Sequence, residues 1–267
     1  MTAERITSTS LAAMKRRGER IACLTCYDAA FARLLEAAGV EVLLVGDSLG
    51  MVLQGQPTTV PVQLEHMVYH SGCVSRTAER ALVIADMPFL SYATEERALR
   101  AAERLMGEGG ASMVKLEGGA ELADTVCRLT RFGAPVCAHL GLLPQSIHQL
   151  GGYRYQGKDD AGAARIRTEA LALQDAGASM LVLECVPAAL AEALSRELTI
   201  PVIGIGAGSR CDGQVLVLHD MLGLLPGRSP SFSRDFAAAS GSVAEALAAY
   251  VAAVKAGTFP GPDETLF

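Results

Sequence analysis

Short apolar runs that end in one polar residue recur along this chain. The clearest covers residues 42–45, Val-Leu-Leu-Val, and runs into Gly-Asp-Ser. A short continuous apolar run closed by turn residues is typical of a strand buried on both faces of a parallel sheet. Similar runs end in Asp86, Glu117, His139 and Glu184, while Asp47 follows the first. We therefore expect four acids and one histidine at the carboxyl ends of strands, the edge where parallel α/β proteins build their sites.

Helical segments separate most of these runs. The predicted strands cover residues 21–26, 42–45, 81–85, 112–116, 135–138, 180–183, 201–205 and 215–218. The predicted helices cover a segment from Thr9 or Ser10 to 17, and residues 29–38, 62–77, 94–108, 120–132, 161–176, 187–198 and 242–256. Alternating strands and helices indicate a parallel sheet, and a (β/α)₈ barrel typically needs about 250 residues.

The predicted fold class is therefore α/β, a (β/α)₈ TIM-type barrel. Residues 1–267 would form a single domain with a short N-terminal helix and a C-terminal helical tail. An open doubly wound sheet is the alternative. Two long loops, residues 50–59 and 141–157, are expected at the active rim, because rim loops commonly carry function.

Composition narrows the function classes. Half of the residues are hydrophobic and the net charge is −6, which argues against a broad nucleic-acid surface. The seven cysteines lie mostly in apolar segments, as reduced thiols of a cytosolic protein do. Cys23 and Cys26 lie along one predicted strand and point to opposite faces, which disfavours a redox or zinc pair. With no signal-peptide run and no membrane-length apolar stretch, we expect a cytoplasmic protein without membrane contact.

Three acids end successive predicted strands. Asp47, Asp86 and Glu117 follow strands two, three and four, and neighbouring parallel strands lie about 5 Å apart. Unpaired carboxylates so close would repel one another, and a hard divalent cation resolves that repulsion. Magnesium commonly takes one or two carboxylates with water and substrate oxygens. The alternative for each acid is a helix cap or a surface ion pair.

Three further polar residues stand on the same predicted rim. Lys115 lies inside an apolar strand and shares a strand face with Glu117, so it either binds a substrate carboxylate or pairs with neighbouring acids. His139 is predicted to donate to a substrate oxygen or to act as an acid or base, with a structural role as the alternative. Glu184 is separated from the three acids in strand order, so it is free to act as a base. The alternatives are a helix cap or a residue that only hydrogen-bonds other site residues.

Two weaker motifs have simpler explanations. Residues 204–208, Gly-Ile-Gly-Ala-Gly, resemble a phosphate-binding loop, with tight backbone packing as the alternative. Residues 46–49 spell Gly-Asp-Ser-Leu, a label of esterases in which the serine is a nucleophile. Those esterases also need Asp-x-x-His near the C-terminus, which this chain lacks.

These motifs together resemble the ketopantoate hydroxymethyltransferase family. The matching stretches are residues 45–51, 85–89, 113–119, 139–141, 144–145, 151–153, 183–187, 204–208 and 212–214. They span about residues 8 to 262 in order, nearly the whole chain. Two residues near His139 depart from the pattern, since Ala138 and Leu143 stand where glycine and threonine are expected.

The resemblance implies a barrel of the phosphoenolpyruvate/pyruvate-like superfamily and a one-carbon transferase. A hydroxymethyl group would pass from 5,10-methylenetetrahydrofolate to 3-methyl-2-oxobutanoate through a magnesium-stabilised enolate. The product would be 2-dehydropantoate, on the route to pantothenate. The resemblance also implies a homo-oligomer, a decamer, and the apolar end Thr265-Leu266-Phe267 is a candidate docking segment.

The implied roles fall on residues already singled out. Asp47 and Asp86 would hold Mg²⁺, with Glu117 as a direct or water-mediated ligand. The keto acid would be bound by Asp47, Ser48, Asp86 and Lys115, with His139 as a further contact, and Glu184 would be the proton acceptor. Two competitors remain: a metal-dependent 2-oxo acid carbon–carbon lyase or mutase of the isocitrate lyase group, and a non-catalytic barrel that binds a small acid.

Overall fold

Eight parallel strands close into one barrel in chain order. The computed structural model describes residues 4–225, 227 and 229–265. The strands are β1 (Ile21–Thr25), β2 (Val42–Val45), β3 (Leu82–Asp86), β4 (Met113–Glu117), β5 (Val136–Gly141), β6 (Met180–Glu184), β7 (Val202–Ile205) and β8 (Gly213–Leu216). Each pairs with the next, and β8 pairs with β1. The predicted (β/α)₈ barrel is confirmed, and the open-sheet alternative is wrong.

Helices cover the outside of the barrel. They are α1 (Ser8–Arg16), α2 (Ala29–Ala38), α3 (Leu49–Val52), α4 (Leu64–Ser75), α5 (Glu95–Glu103), α6 (Ala123–Arg131), α7 (Ile147–Leu150), α8 (Asp160–Asp175), α9 (Ala188–Glu197), α10 (Leu218–Met221) and α11 (Val243–Ala256). A π-helical turn (Arg104–Glu108) continues α5, and 3₁₀ turns cover Ala120–Leu122, Pro144–Ser146 and Pro262–Glu264. No helix in the described part of the chain is long and apolar enough to cross a bilayer.

Local chemistry explains where these helices start and stop. Asp28 caps α2 by accepting hydrogen bonds from the backbone N–H groups of Ala30 and Phe31 at 2.8 and 2.9 Å. Gly39 ends the same helix in the left-handed conformation, with φ of 92°. The cap of α1 is Thr7 rather than the predicted Thr9 or Ser10, because Thr7 forms a capping box with Ser10.

The eighth strand lies two residues earlier than predicted. It begins at Gly213, which pairs with Ile21 of β1 and Ile203 of β7. A Cβ atom at Gly213 would lie 2.3 Å from the carbonyl oxygen of Ile21, so this close strand approach requires glycine. The apolar run 215–218 had suggested a later strand. In the structure the chain instead turns into α10, and Asp220 lies on that helix.

Strand register brings the polar residues to one level of the barrel. Asp86 is paired with Lys115 across β3 and β4, and Glu117 with His139 across β4 and β5. Glu184 is paired with Gly141 across β5 and β6. The residues that end the predicted strands are therefore neighbours around the carboxyl-end rim.

Two helices at the ends of the chain pack on the barrel. Helix α1 lies at the end where the strands begin, and α11 packs beside β1. Lys15 of α1 donates to the carbonyl oxygens of Ser195 and Ile200 and pairs with Asp212, each at 2.8 Å. Tyr250 of α11 is fully buried, and its hydroxyl lies 2.8 Å from the Cys23 carbonyl oxygen. These contacts tie both helical extensions to the barrel.

The cysteine pair has no feature of a reactive site. Cys23 and Cys26 are buried free thiols, and burial raises the pKa of Cys26 to about 12. A thiol that stays protonated at neutral pH is a poor nucleophile and a poor metal ligand. Their surroundings therefore favour a structural role for both cysteines.

Candidate active site

One cavity of about 430 Å³ opens at the carboxyl ends of the strands. Seven of the residues singled out in the sequence line it: Asp47, Ser48, Asp86, Lys115, Glu117, His139 and Glu184. Its size is in the usual range for small-molecule sites. At its mouth, the Tyr153 hydroxyl and the Met51 sulfur lie 3.6 Å apart, so the two predicted rim loops meet.

The centre of the cavity floor is a buried ion cluster. The Lys115 ammonium donates to Asp86 Oδ1 at 2.8 Å and lies 3.8 Å from Glu117 Oε1. Burial favours neutral lysine, but the charges of Asp86, Glu117 and Asp47 outweigh it and raise the pKa of Lys115 above its usual value. Lys115 is therefore a fixed positive charge, and its predicted pairing with neighbouring acids is present.

Asp47 has too little positive charge around it. Its carboxylate is buried, and burial together with the nearby charges of Asp86 and Glu117 raises the pKa of Asp47 well above its ordinary value. Lys115 and a hydrogen bond from Gln145 offset only part of this effect. With all three acids ionised, the cluster would hold excess negative charge, which a bound cation would relieve.

His139 bridges this cluster to Glu184. Its Nδ1 lies 3.4 Å from Glu117 Oε1 and its Nε2 lies 3.3 Å from Glu184 Oε2, although neither contact is an aligned hydrogen bond. Burial and Lys115 favour the neutral ring, but the two carboxylates outweigh them and raise the pKa of His139 to about 9. At neutral pH the ring is therefore an imidazolium ion between two carboxylates.

Glu184 lies on the far side of His139 from the other acids, as its place in strand order predicts. It ends β6, and the next residue, Cys185, has a positive φ of 48°. Across the strand pair, a Cβ atom at Gly141 would lie 2.1 Å from the Glu184 carbonyl oxygen, so only glycine allows this packing. A strained turn and a close glycine together set the direction of the Glu184 side chain.

Gln145 is a site residue that sequence reasoning missed. Its amide nitrogen Nε2 donates to Asp47 Oδ2 at 2.8 Å, and its backbone N–H donates to Glu117 Oε2 at 3.0 Å. The Tyr92 hydroxyl donates to Gln145 Oε1 at 2.6 Å, which fixes the orientation of the amide. Gln145 thereby positions two of the three acids. The only signal was its place in the long loop and in the Pro-Gln motif.

Tyr27 was also missed. Its hydroxyl lies 2.9 Å from Ser48 Oγ, and both residues are on the β1–β2 side of the rim. Among the described residues no histidine hydrogen-bonds Ser48, so the serine lacks the histidine partner that the esterase motif requires. The glycines of 204–208 serve tight packing, since a Cβ atom at Gly206 would lie 3.0 Å from the Phe232 ring.

The donor set fits a hard divalent cation. Asp47, Asp86 and Glu117 offer carboxylate oxygens, and the buried negative charge exceeds the positive charge of Lys115. Within the described residues, no three His, Cys, Asp or Glu side chains are arranged to contact one ion together. A cation here would therefore use fewer protein ligands, with water or substrate oxygens in its other positions, as magnesium commonly does.

The barrel and its acidic rim define an α/β-barrel protein of the phosphoenolpyruvate mutase/isocitrate lyase fold. Two solved structures share that fold. One is "2,3-dimethylmalate lyase, a PEP mutase/isocitrate lyase superfamily member", with a TM-score of 0.56 and 19% identity over 82% of each chain. The other is phosphonopyruvate hydrolase in complex with oxalate and Mg²⁺, with a TM-score of 0.62 and 13% identity over 79% of this chain and 81% of that one.

Within that fold, the chain belongs to the ketopantoate hydroxymethyltransferase family. The family model matches residues 5–262. The 3-methyl-2-oxobutanoate hydroxymethyltransferase of Halorhodospira halophila is 59% identical over 258 residues, which is 97% of this chain and 94% of that protein. The enzyme of the same name from Nitrosococcus oceani is 59% identical over 256 residues, covering 96% and 97%. The family resemblance of the sequence motifs is confirmed.

Replacing Lys115 tests whether the ion cluster contributes to the free energy of unfolding of the protein. Lys115→Met removes the one ammonium that the structure places against Asp86, and leaves that buried carboxylate without its charge partner. Breaking a buried pair from one side typically costs about 3–5 kcal/mol, so we expect a large fall in the free energy of unfolding. Urea denaturation with a metal chelator present measures it.

The control for this variant is Arg97→Met, which removes an exposed cation from α5. It should change stability little, since surface substitutions are usually within about 0.5 kcal/mol. Equal stability of Lys115→Met and the wild type would contradict the analysis of the cluster.

Proposed function

We propose that this protein transfers a hydroxymethyl group from 5,10-methylenetetrahydrofolate to 3-methyl-2-oxobutanoate and forms 2-dehydropantoate. One observation carries the proposal: His139 separates a cluster of buried acids from a single carboxylate, Glu184, within one cavity. That arrangement offers a place to bind the acid and keto groups of a 2-oxo acid and, on the other side, a base for its C3 proton. The shared name of the 59% identical relatives supports the same reaction.

Magnesium is the proposed metal. Asp47 and Asp86 would hold it, with Glu117 as a direct or water-mediated ligand, because these carboxylates share the excess negative charge. When bound, the ion polarises the keto group and favours loss of the neighbouring proton. The phosphonopyruvate hydrolase structure contains oxalate and Mg²⁺, a small dicarboxylate with its metal, on the same fold.

The polar residues around the metal acids would orient the keto acid. Lys115 supplies a fixed positive charge on the same floor, where a substrate carboxylate or a developing enolate oxygen needs it. Ser48 Oγ, held by Tyr27, offers a hydroxyl at the β2 end of the floor. Asp47 and Asp86 would bind the substrate through the metal rather than directly, since like charges repel.

Glu184 is the proposed base and His139 its positioning partner. His139 Nε2 lies 3.3 Å from Glu184 Oε2, so the ring holds this carboxylate in place, and a carboxylate is the group that accepts the proton. Both ring nitrogens of His139 face protein carboxylates. We therefore propose that His139 positions Glu117 and Glu184 and does not itself bind the substrate. The deprotonated C3 carbon forms a bond to the one-carbon unit of the folate. Both carbon–nitrogen bonds of that unit break, water supplies the hydroxyl oxygen, and tetrahydrofolate leaves after its nitrogens take up protons.

A lyase or mutase acting on 2-oxo acids is the second candidate. It shares the fold, but the structural relatives of that group are under 20% identical and support the fold alone. The 59% identical relatives favour hydroxymethyl transfer. Formation of 2-dehydropantoate only when methylenetetrahydrofolate is present would exclude the lyase and the non-catalytic alternatives together.

Glu184→Gln should separate proton removal from one-carbon transfer. In deuterated water with Mg²⁺ and no folate, the wild type should exchange the C3 proton of 3-methyl-2-oxobutanoate. The glutamine keeps the shape of Glu184 but accepts no proton, so exchange should slow by about 10²–10⁴-fold. NMR measures the exchange, and calorimetry checks that the keto acid still binds.

The matched control is Glu103→Gln, an exposed position on α5 far from the rim. It should exchange at the wild-type rate. Exchange at that rate in Glu184→Gln would remove Glu184 as the base and make His139 the next candidate.

Asp47→Asn and Asp86→Asn test the metal site. Each removes one negative charge while it keeps the size of the side chain, so Mg²⁺ should bind at least about 10-fold more weakly. Keto acid binding should weaken with it, because both share the site. Titration calorimetry measures both affinities, and the exposed Asp124→Asn on α6 is the control. Full activity of both variants in excess chelator would mean that the acids are structural.

We also propose that residues 1–267 act as one barrel domain in a cytoplasmic homo-oligomer, a decamer as the family implies. The predicted docking segment is described only in part. The hydroxyl of Thr265 donates to the Gly261 carbonyl oxygen at 2.9 Å, while Leu266 and Phe267 lie outside the described residues.

Light scattering at micromolar concentration tests the assembly. We expect a mass several times that of the 27.9 kDa chain. A monomer mass under these conditions would contradict the proposed oligomer, without bearing on the chemistry of the cavity.

A further inference from the structure

The cavity has a second half that the keto acid chemistry leaves unused. The acids, Lys115 and His139 occupy the side formed by β2 to β6, while the side formed by β7, β8 and the segment after α10 is largely apolar. Its lining includes Ile205, Val215, Val217, Pro230 and Phe232. The Phe232 ring packs against Gly206, where a side chain would displace it. This apolar half suits a flat ring better than a small charged acid.

In the described part of the chain, one charged side chain lines the apolar half. Asp220 lies on α10, whose first residue is held in place because the Leu218 N–H donates to Thr25 Oγ1 at 2.8 Å. Within the described residues, no hydrogen-bond donor or cation contacts the Asp220 carboxylate. Burial alone raises the pKa of Asp220 to about 6, so the group is still mostly ionised at neutral pH. A partly buried carboxylate without a partner is costly unless a ligand supplies one.

We infer that Asp220 recognises the ring of the folate co-substrate by accepting two parallel hydrogen bonds from its adjacent ring N–H and amino groups. The inference rests on the proposed function, which supplies the folate. A carboxylate with two free oxygens matches a pair of neighbouring N–H donors, as it does an arginine fork. The apolar wall formed by Ile205, Val215 and Phe232 takes the faces of the ring.

This placement also orients the transfer. In a reduced pterin, the donor pair and the nitrogen that carries the one-carbon unit lie at opposite ends of the bicyclic ring. A ring anchored at Asp220 therefore points its one-carbon unit away from Asp220 and toward the rest of the cavity. Glu184 lines the same cavity at the end of β6, next to β7. The carbon that Glu184 deprotonates would then face the one-carbon unit.

Asp220→Asn tests the assignment. The amide replaces one acceptor oxygen with a donor that faces a donor of the ring, so the dissociation constant of tetrahydrofolate should rise about 10- to 100-fold. The folate-free exchange of the keto acid C3 proton should stay at the wild-type rate, because it needs only the acidic half. Calorimetry measures the binding and NMR the exchange. Asp175→Asn, an exposed position at the end of α8, is the control for loss of one negative charge and should change neither.

A second probe uses the wild-type protein alone. A tetrahydrofolate analogue with a methyl group in place of the 2-amino group lacks one of the two donors. The wild type should bind it more weakly than tetrahydrofolate, and Asp220→Asn should discriminate between the two far less. Equal binding of both ligands by the wild type would overturn the assignment, and so would wild-type affinity for tetrahydrofolate in Asp220→Asn.

Failure of this inference is distinguishable from failure of the proposed function. If the wild type forms 2-dehydropantoate but Asp220→Asn binds tetrahydrofolate normally, only the assignment of Asp220 is wrong. If the wild type binds no tetrahydrofolate, both are wrong. If Asp220→Asn loses both the C3 proton exchange and tetrahydrofolate binding, the assignment is also wrong, because Asp220 would then support the whole cavity.

Discussion

The site depends on how few positive charges are buried among its acids. Lys115 pairs with Asp86 at 2.8 Å, and His139 stands between Glu117 and Glu184, yet Asp47 still lacks a charge partner. Carboxylates crowded in a dry pocket repel one another strongly, since the interaction between charges grows as the local dielectric falls. The arrangement is stable only if something holds the acids apart and something else neutralises them. The first task falls to neighbouring side chains, and in the proposed function a bound cation performs the second.

The loop after β5 does the holding. Gln145 contacts Asp47 through its side chain and Glu117 through its backbone, and Tyr92 fixes the amide. A loop residue therefore sets the spacing of two acids that come from different strands. This is why the barrel rim alone does not define the site. The strands supply the charged groups, and the loop determines how far apart they lie.

The cavity divides by polarity in a way that suits two dissimilar substrates. Charged groups concentrate along the ends of β2 to β6, where a small oxygen-rich acid fits. Apolar side chains cover the ends of β7 and β8, where Asp220 is the single acid among the residues that the structure describes. Glu184 lies at the boundary between the halves, after a turn in which Cys185 takes a positive φ. In the proposed reaction, a base at this boundary acts on one substrate while it faces the other.

The pattern of apolar and polar residues was enough to predict the barrel and to single out the residues on its rim. Apolar runs ending in Asp86, Glu117, His139 and Glu184 are a local signal, because a buried strand must be apolar until it reaches solvent. Other features became visible only in the folded molecule: the start of β8, the contacts of Gln145, the contact of Tyr27 with Ser48, and an Asp220 carboxylate that no described residue hydrogen-bonds. Those features depend on residues that are far apart in the chain and meet only when the barrel closes. The pattern along the chain shows where each buried strand ends, but the distances between the residues at those ends are set only when the chain folds.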